Sequence, residues 1–111
     1  MVNWMDDFSG AITVCDRDGI VVYMNKVSRL QFQKYGGGEL LGKNLLDCHP
    51  EPSKTRLKEM LAAPMQNAYT TEKNGRKKQI VQTPWMEGGE FKGVVEISFE
   101  LPADMPSHVR S

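Results

Sequence analysis

NAYTTEKNGRKKQIVQTPWMEGGEFKGVVEISFEL, residues Asn67–Leu101, is the stretch whose reading decides the fold. It divides into three strand-like segments joined by two tight turns. The first turn, Asn74-Gly75, puts at its centre the two residues that adopt positive φ most cheaply, the strongest short-range hairpin signal. Gly88-Gly89, flanked by Glu87 and Glu90, makes the second. The last segment alternates: Phe91, Gly93, Val95, Ile97, Phe99 and Leu101 share one face, and Lys92, Val94, Glu96, Ser98 and Glu100 the other. A three-stranded meander does not stand alone in water, so the upstream residues must cover one of its faces.

Working outward, Ala11–Asp16 and Ile20–Met24 are apolar, β-branched runs separated by Arg17-Asp18-Gly19, a further hairpin that brings the sheet to five antiparallel strands. Asn25 is suited to cap a helix that starts near Lys26, carries Val27, Leu30 and Phe32, and runs to Tyr35, where Gly36-Gly37-Gly38 stops it. Glu39–Gly42 reads as one helical turn and Asn44–Cys48 as a short irregular piece. His49-Pro50-Glu51-Pro52 opens a longer helix with both prolines in its first turn. Leu57, Met60 and Leu61 form its apolar stripe, while Lys54, Arg56 and Lys58 point away, and Ala62-Ala63-Pro64 ends it. Trp4, Met5 and Phe8 suggest a short amphipathic helix or turn. The expected class is α+β, a five-stranded antiparallel sheet with short helices packed on one face. The expected divisions are a cap over residues 1–9, a domain over 10–101, and an extended or disordered tail over 102–111 with two prolines.

Composition narrows the function classes. The 111 residues suffice for one core. Fourteen basic residues balance fourteen acidic ones, which argues against nucleic acid or an anionic membrane as partner. The local basic run Arg76-Lys77-Lys78 falls at a hairpin, where a solvated turn explains it. No apolar run approaches a membrane span or a signal peptide. Cys15 and Cys48 are too few for a disulfide framework or metal knuckle, so free thiols in a reducing cytoplasm are expected.

The order of these pieces resembles a PAS domain. The hairpin ends in Tyr23-Met24-Asn25; a helix follows, then Glu39-Leu40-Leu41-Gly42-Lys43-Asn44. Later come Glu72-Lys73-Asn74-Gly75, a strand closing in Thr83-Pro84, a glycine turn, and Gly93-Val94-Val95 in the last strand. The resemblance spans roughly Phe8–Leu101. It implies the PAS fold, a pocket between sheet and helices, and a sensory role of the kind found in single-domain bacterial PAS proteins. Gly42-Lys43-Asn44-Leu45 looks like the flavin-binding light-oxygen-voltage branch, but Leu45 stands where that branch keeps its photoreactive cysteine. Leucine has no nucleophile, so no covalent flavin adduct forms there.

Asp47-Cys48-His49 is the most reactive-looking cluster. A Cys–His nucleophilic pair must meet across about 3 Å, and sequence neighbours generally point apart. Haem ligation by His49 is disfavoured because haem-binding relatives place the ligand further along the following helix. The plainer reading has His49 capping that helix and Cys48 packing as a small apolar group. No enzymatic activity is expected.

Aligned to the family through Gly93 and Glu100, Val94, Glu96 and Ser98 point toward the helices, and Val95, Ile97 and Phe99 face outward. The alternative is the reverse register, with the apolar set as core. The first reading makes Asn44, Leu45, Cys48, His49, Ile80, Gln82, Glu96 and Ser98 the expected pocket residues, suited to a small polar or cationic ligand. The alternative has Glu96 paired with Lys78 across the strands, leaving no ligand site. The outward stripe of Val95, Ile97 and Phe99, with Trp4 and Phe8, is then an expected homodimer interface. With no output module after the domain, signalling is expected through a downstream protein in trans. A ligand-free protein-interaction or dimerisation module is the alternative.

Overall fold

The computed structural model describes residues 2–111. Five strands, β1 (Ala11–Asp16), β2 (Val21–Met24), β3 (Asn67–Lys73), β4 (Arg76–Glu87) and β5 (Glu90–Leu101), form one antiparallel sheet in the order β2-β1-β5-β4-β3. The two hairpin systems join where β1 pairs with β5, from Ala11 opposite Ser98 to Asp16 opposite Gly93. Gly93 is needed there, because a Cβ on it would overlap the carbonyl oxygen of Cys15. The Asn74-Gly75 turn has φ of 54° and 78°, both positive as the two-residue hairpin requires.

Two strand boundaries differ from expectation. Ile20 leaves β2 to bridge Asn44, and the edge of β2 is covered by Val21 N–H donating to Lys43 O at 3.0 Å. β4 does not close at Thr83-Pro84 but continues to Glu87. β3 ends where Asn67 meets Gln82, so beyond that point β4 has a neighbour on one side only, and there a residue without an N–H is tolerated.

The helical elements between β2 and β3 are shorter than the sequence suggested. Helix α1 (Lys26–Gln31) ends before Phe32 and gives way to a 3₁₀ turn over Gln33–Tyr35. Only Gly36 acts as the stop, with φ 111°; Gly37 and Gly38 begin the next 3₁₀ turn, Gly37–Leu40. Leu45–Asp47 is a third such turn, and helix α2 spans Ser53–Ala62. The prolines precede α2 rather than occupying its first turn. Pro52 has no side-chain oxygen for capping, and the Glu51 carboxylate does that work, accepting from Thr55 N–H at 2.8 Å. Hydrogen bonds from the Thr55 hydroxyl and from its backbone N–H hold the Glu51 carboxyl below its ordinary range. Near the N-terminus the chain makes a turn, with Trp4 and Phe8 packed edge to face at 5.4 Å.

The helices cover one face of the sheet. Cys15 and Val94 on adjacent strands pack against Leu57, Met60 and Leu61 of α2, each buried side chain contributing roughly 1.5–3 kcal/mol. A second cluster joins Val21 and Met24 to Leu40. With Val94 in that core, alternation along β5 puts Glu96 and Ser98 on the helix side and Val95, Ile97 and Phe99 outside; the reversed register does not occur.

Asn25 ties cap, sheet and helix together. Its Oδ1 accepts from Ile12 and Ser28 N–H, each at 2.9 Å, and its Nδ2 donates to Met5 O at 3.0 Å and Gly10 O at 2.9 Å.

Candidate functional site

Three adjoining cavities lie under the helical face, and His49 borders all of them. The inner chamber, about 190 Å³, has apolar walls from Val21, Met24, Phe32, Tyr35, Leu40 and Leu45, with Thr13, Cys48, Pro50 and Ser53 completing it. A polar cleft of about 370 Å³ lies between α2 and the meander, lined by Ser53, Arg56, Leu57, Met60, Asn67, Tyr69, Gln82 and Glu96. A void of about 50 Å³, bordered by Thr13, Phe32, Leu45, Leu57, Gln82 and Glu96, lies between the two.

Local structure sets His49 at this junction. Asn44 caps the Leu45–Asp47 turn, accepting from Leu46 N–H at 2.9 Å and donating to Asp18 O at 3.2 Å. The turn presents the Leu45 carbonyl to His49 Nδ1 at 2.8 Å. A carbonyl can only accept, so Nδ1 carries the proton, and in the neutral ring Nε2 is left as an acceptor. His49 therefore closes the preceding turn and does not cap α2. Cys48 Sγ lies toward Asn44 O at 3.9 Å. Thiol and imidazole are thus turned to separate carbonyls, and no Cys–His pair forms.

Across the cleft runs a directional chain of hydrogen bonds drawn from four elements. Arg56 Nη2 donates to Asn67 Oδ1 at 3.3 Å, Asn67 Nδ2 to Gln82 Oε1 at 2.9 Å, and Gln82 Nε2 to Glu96 Oε1 at 3.0 Å. Glu96 does not pair with Lys78: that side chain lies opposite Glu100 and donates to Gln31 Oε1 at 3.1 Å. Burial raises the Glu96 carboxyl above its ordinary range, while the Gln82 hydrogen bond pulls it back, as does His49 when its ring is protonated. Burial also raises Tyr69, helped by the charge of Glu96. Cys15, buried in the core, has its thiol pushed up to about 11, which leaves it a poor nucleophile.

Of the residues expected to line a pocket, Leu45, Cys48, His49, Gln82 and Glu96 border these cavities. Asn44, Ile80 and Ser98 border none of the three. Asn44 is committed to its turn; Ile80 and Ser98 face each other farther along the strands, where Ser98 Oγ reaches Gln31 Oε1 at 3.4 Å. Sequence reasoning placed Arg56 away from the apolar stripe of α2; it is exposed there, and its guanidinium also borders the open cleft, a role the sequence did not suggest. Asn67, Tyr69, Phe32, Met24, Leu40 and Thr13 were also missed. Asn67 had a signal, since counting back from the Asn74-Gly75 turn puts it opposite Gln82. Among the described residues, no three His, Cys, Asp or Glu side chains group as metal ligands. No helix is long and apolar enough to cross a membrane.

Comparison with known proteins gives a consistent picture. No curated protein matches the chain. A C-terminal domain from Streptococcus mutans is similar at 19% identity, over 86% of this chain and 78% of that one, with a TM-score of 0.68. The PAS domain of BvgS from Bordetella pertussis matches at 19% identity over 88% and 81%, TM-score 0.61. The Aer2 receptor from Vibrio cholerae, a dual PAS-heme oxygen sensor, matches at 15% identity over 84% and 95%, TM-score 0.61. At such identities the likeness speaks for the fold alone. The family described as the PAS fold matches residues 5–101, and the chain belongs to that family.

Proposed function

We propose that this PAS domain, a sensory signal-transduction module by family, binds a small molecule between sheet and helices and passes the event on by protein association. The observation that carries the reading is the meeting of an apolar chamber and a polar cleft at His49, beside a desolvated carboxylate. A structural core closes such space with side chains and pairs such charges. The test is a thermal-shift screen of the purified protein against metabolite libraries, with mass spectrometry of any molecule released on denaturation. A ligand should raise Tm in wild type and less in Leu40→Trp, which fills the chamber. A ligand-free protein unmoved by every compound would refute the reading.

Neither prosthetic group suggested by the family is favoured. A covalent flavin adduct lacks its nucleophile at Leu45. His49 precedes α2, whereas haem-binding relatives carry their ligand further along that helix. The separate tethering of Cys48 and His49 supports a non-enzymatic role. The free thiols suit a reducing cytoplasm.

The outer sheet face supports association as the route of signalling. Phe99 is 39% exposed and Trp4 49%, and Val95 and Ile97 lie partly open beside Phe99. We propose a homodimer through this face, involving Trp4, Phe8, Val95, Ile97 and Phe99. Sedimentation should show a dimer at micromolar concentration, and Ile97→Glu should yield a folded monomer because it places like charges near the shared axis. A wild-type protein that remains monomeric would exclude the dimer.

A further inference from the structure

The polar chain across the cleft runs one way. Each donor, from Arg56 through Asn67 and Gln82, is turned toward Glu96, and the chain ends there. Glu96 Oε1 is occupied by Gln82, whereas Oε2 has no hydrogen-bond partner and Glu96 makes no ion pair among the described residues. In its neutral form His49 Nε2 is likewise an acceptor without a partner, the ring proton lying on Nδ1 toward the Leu45 carbonyl. Two acceptors therefore border the same void, with no protein donor for either.

Resting on the ligand-binding reading above, we infer that the site recognises a primary amine or similar cationic nitrogen group, held by Glu96 and His49, whose apolar part fills the adjoining chamber. Chemistry selects this class over the others. A carboxylate or phosphate would bring a third acceptor to two existing ones, and the one cation of the cleft, Arg56, is already drawn to Asn67 and to Glu59 at 4.0 Å. A neutral hydroxyl supplies one proton for two acceptors and leaves Glu96 without a counter-charge. An ammonium offers three donors and the missing charge. It also offsets the desolvation that holds the Glu96 carboxyl up. The chamber walls of Val21, Met24, Phe32 and Leu40 have no charge, so the remainder of the molecule must be apolar.

The test compares one skeleton with different heads. Binding of 2-phenylethylamine, 2-phenylethanol and phenylacetate is measured by calorimetry, with toluene as a probe of the chamber alone. The amine should bind at least about tenfold tighter than the alcohol and the acid, the scale of a charge-assisted hydrogen bond. Glu96→Gln, close in shape, should reduce the amine to the level of the alcohol and leave toluene unchanged. If that variant does not fold, Glu96→Asp, which keeps the charge and shortens its reach, should weaken the amine alone. Preference for phenylacetate, lost in Arg56→Gln, would overturn the cationic assignment while leaving the ligand site intact. Equal binding of all three heads, or amine binding indifferent to folded Glu96 variants, would overturn it too. Silence from every probe, toluene included, would remove the ligand-binding reading itself.

Discussion

Asn25 and Glu96 are both polar side chains held between sheet and helices, yet Asn25 has all four hydrogen-bonding positions filled and Glu96 does not. Asn25 is fully buried, and its neighbours Thr13 and Ser28 satisfy one another at 2.6 Å. Glu96 accepts one bond, borders two cavities and makes no ion pair among the described residues. A saturated buried network fixes a structure because every alternative strands a donor or acceptor. A network that ends on an acceptor open to the cavity leaves a position that a ligand donor can take. One end of the interlayer is thus saturated, and the other keeps the open acceptor at which a ligand is proposed to bind.

The largest effect expected of this contrast is at Asn25. Asn25→Ala would orphan Ile12 N–H, Ser28 N–H and the Gly10 carbonyl, leaving Met5 O only its bond from Phe8 N–H, and should cost about 3–5 kcal/mol in urea unfolding. A loss under about 1 kcal/mol would show that water replaces the side chain freely and that the cluster is not the clamp described.

Gly75→Val comes next. The turn sets the register that brings Asn67 beside Gln82, so the open cluster depends on it. A β-branched residue at φ 78° is strained, and the loss should be roughly 1–3 kcal/mol. An unchanged Tm would mean that the strands set their own register without the turn.

The smallest effect has the opposite sign. Because burial raises the Glu96 carboxyl in the folded state, the folded protein holds that proton more tightly than the unfolded chain. Stability is complete below the unfolded value and declines as pH rises through the folded one. Glu96→Gln removes that decline, so the variant should be slightly the more stable at pH 7 and equal to wild type near pH 4. Parallel Tm curves across that range would contradict a desolvated carboxylate.

The hairpins were legible because their turns are local events: Asn74-Gly75 and Gly88-Gly89 declare themselves by the few residues that tolerate positive φ. The cap at Asn25 was equally legible, though not its reach to Met5 and Gly10, since a short amphipathic pattern over Trp4–Phe8 does not say where that segment docks. Counting from Gly88-Gly89 would have set Gln82 opposite Val95, on the wrong face. A bulge between Trp85 and Met86 shifts the pairing by one residue and brings Gln82 opposite Glu96 instead. Nothing in Trp85-Met86 announces that bulge. The part Arg56 plays in the cleft was missed for a similar reason, since a helix wheel separates polar from apolar but not open solvent from a polar cleft.

By itself the sequence determined the five strands, the capped helix after the first hairpin, and the family to which their order belongs, all consequences of turn chemistry and alternation within short windows. The tertiary structure alone decided the site. Arg56, Asn67, Gln82 and Glu96 come from α2, β3, β4 and β5, and their chain exists only because a bulge, a turn register and a helix position coincide. Hydrogen bonds need partners within about 3 Å. Side chains forty residues apart meet that requirement through packing, which no local pattern encodes.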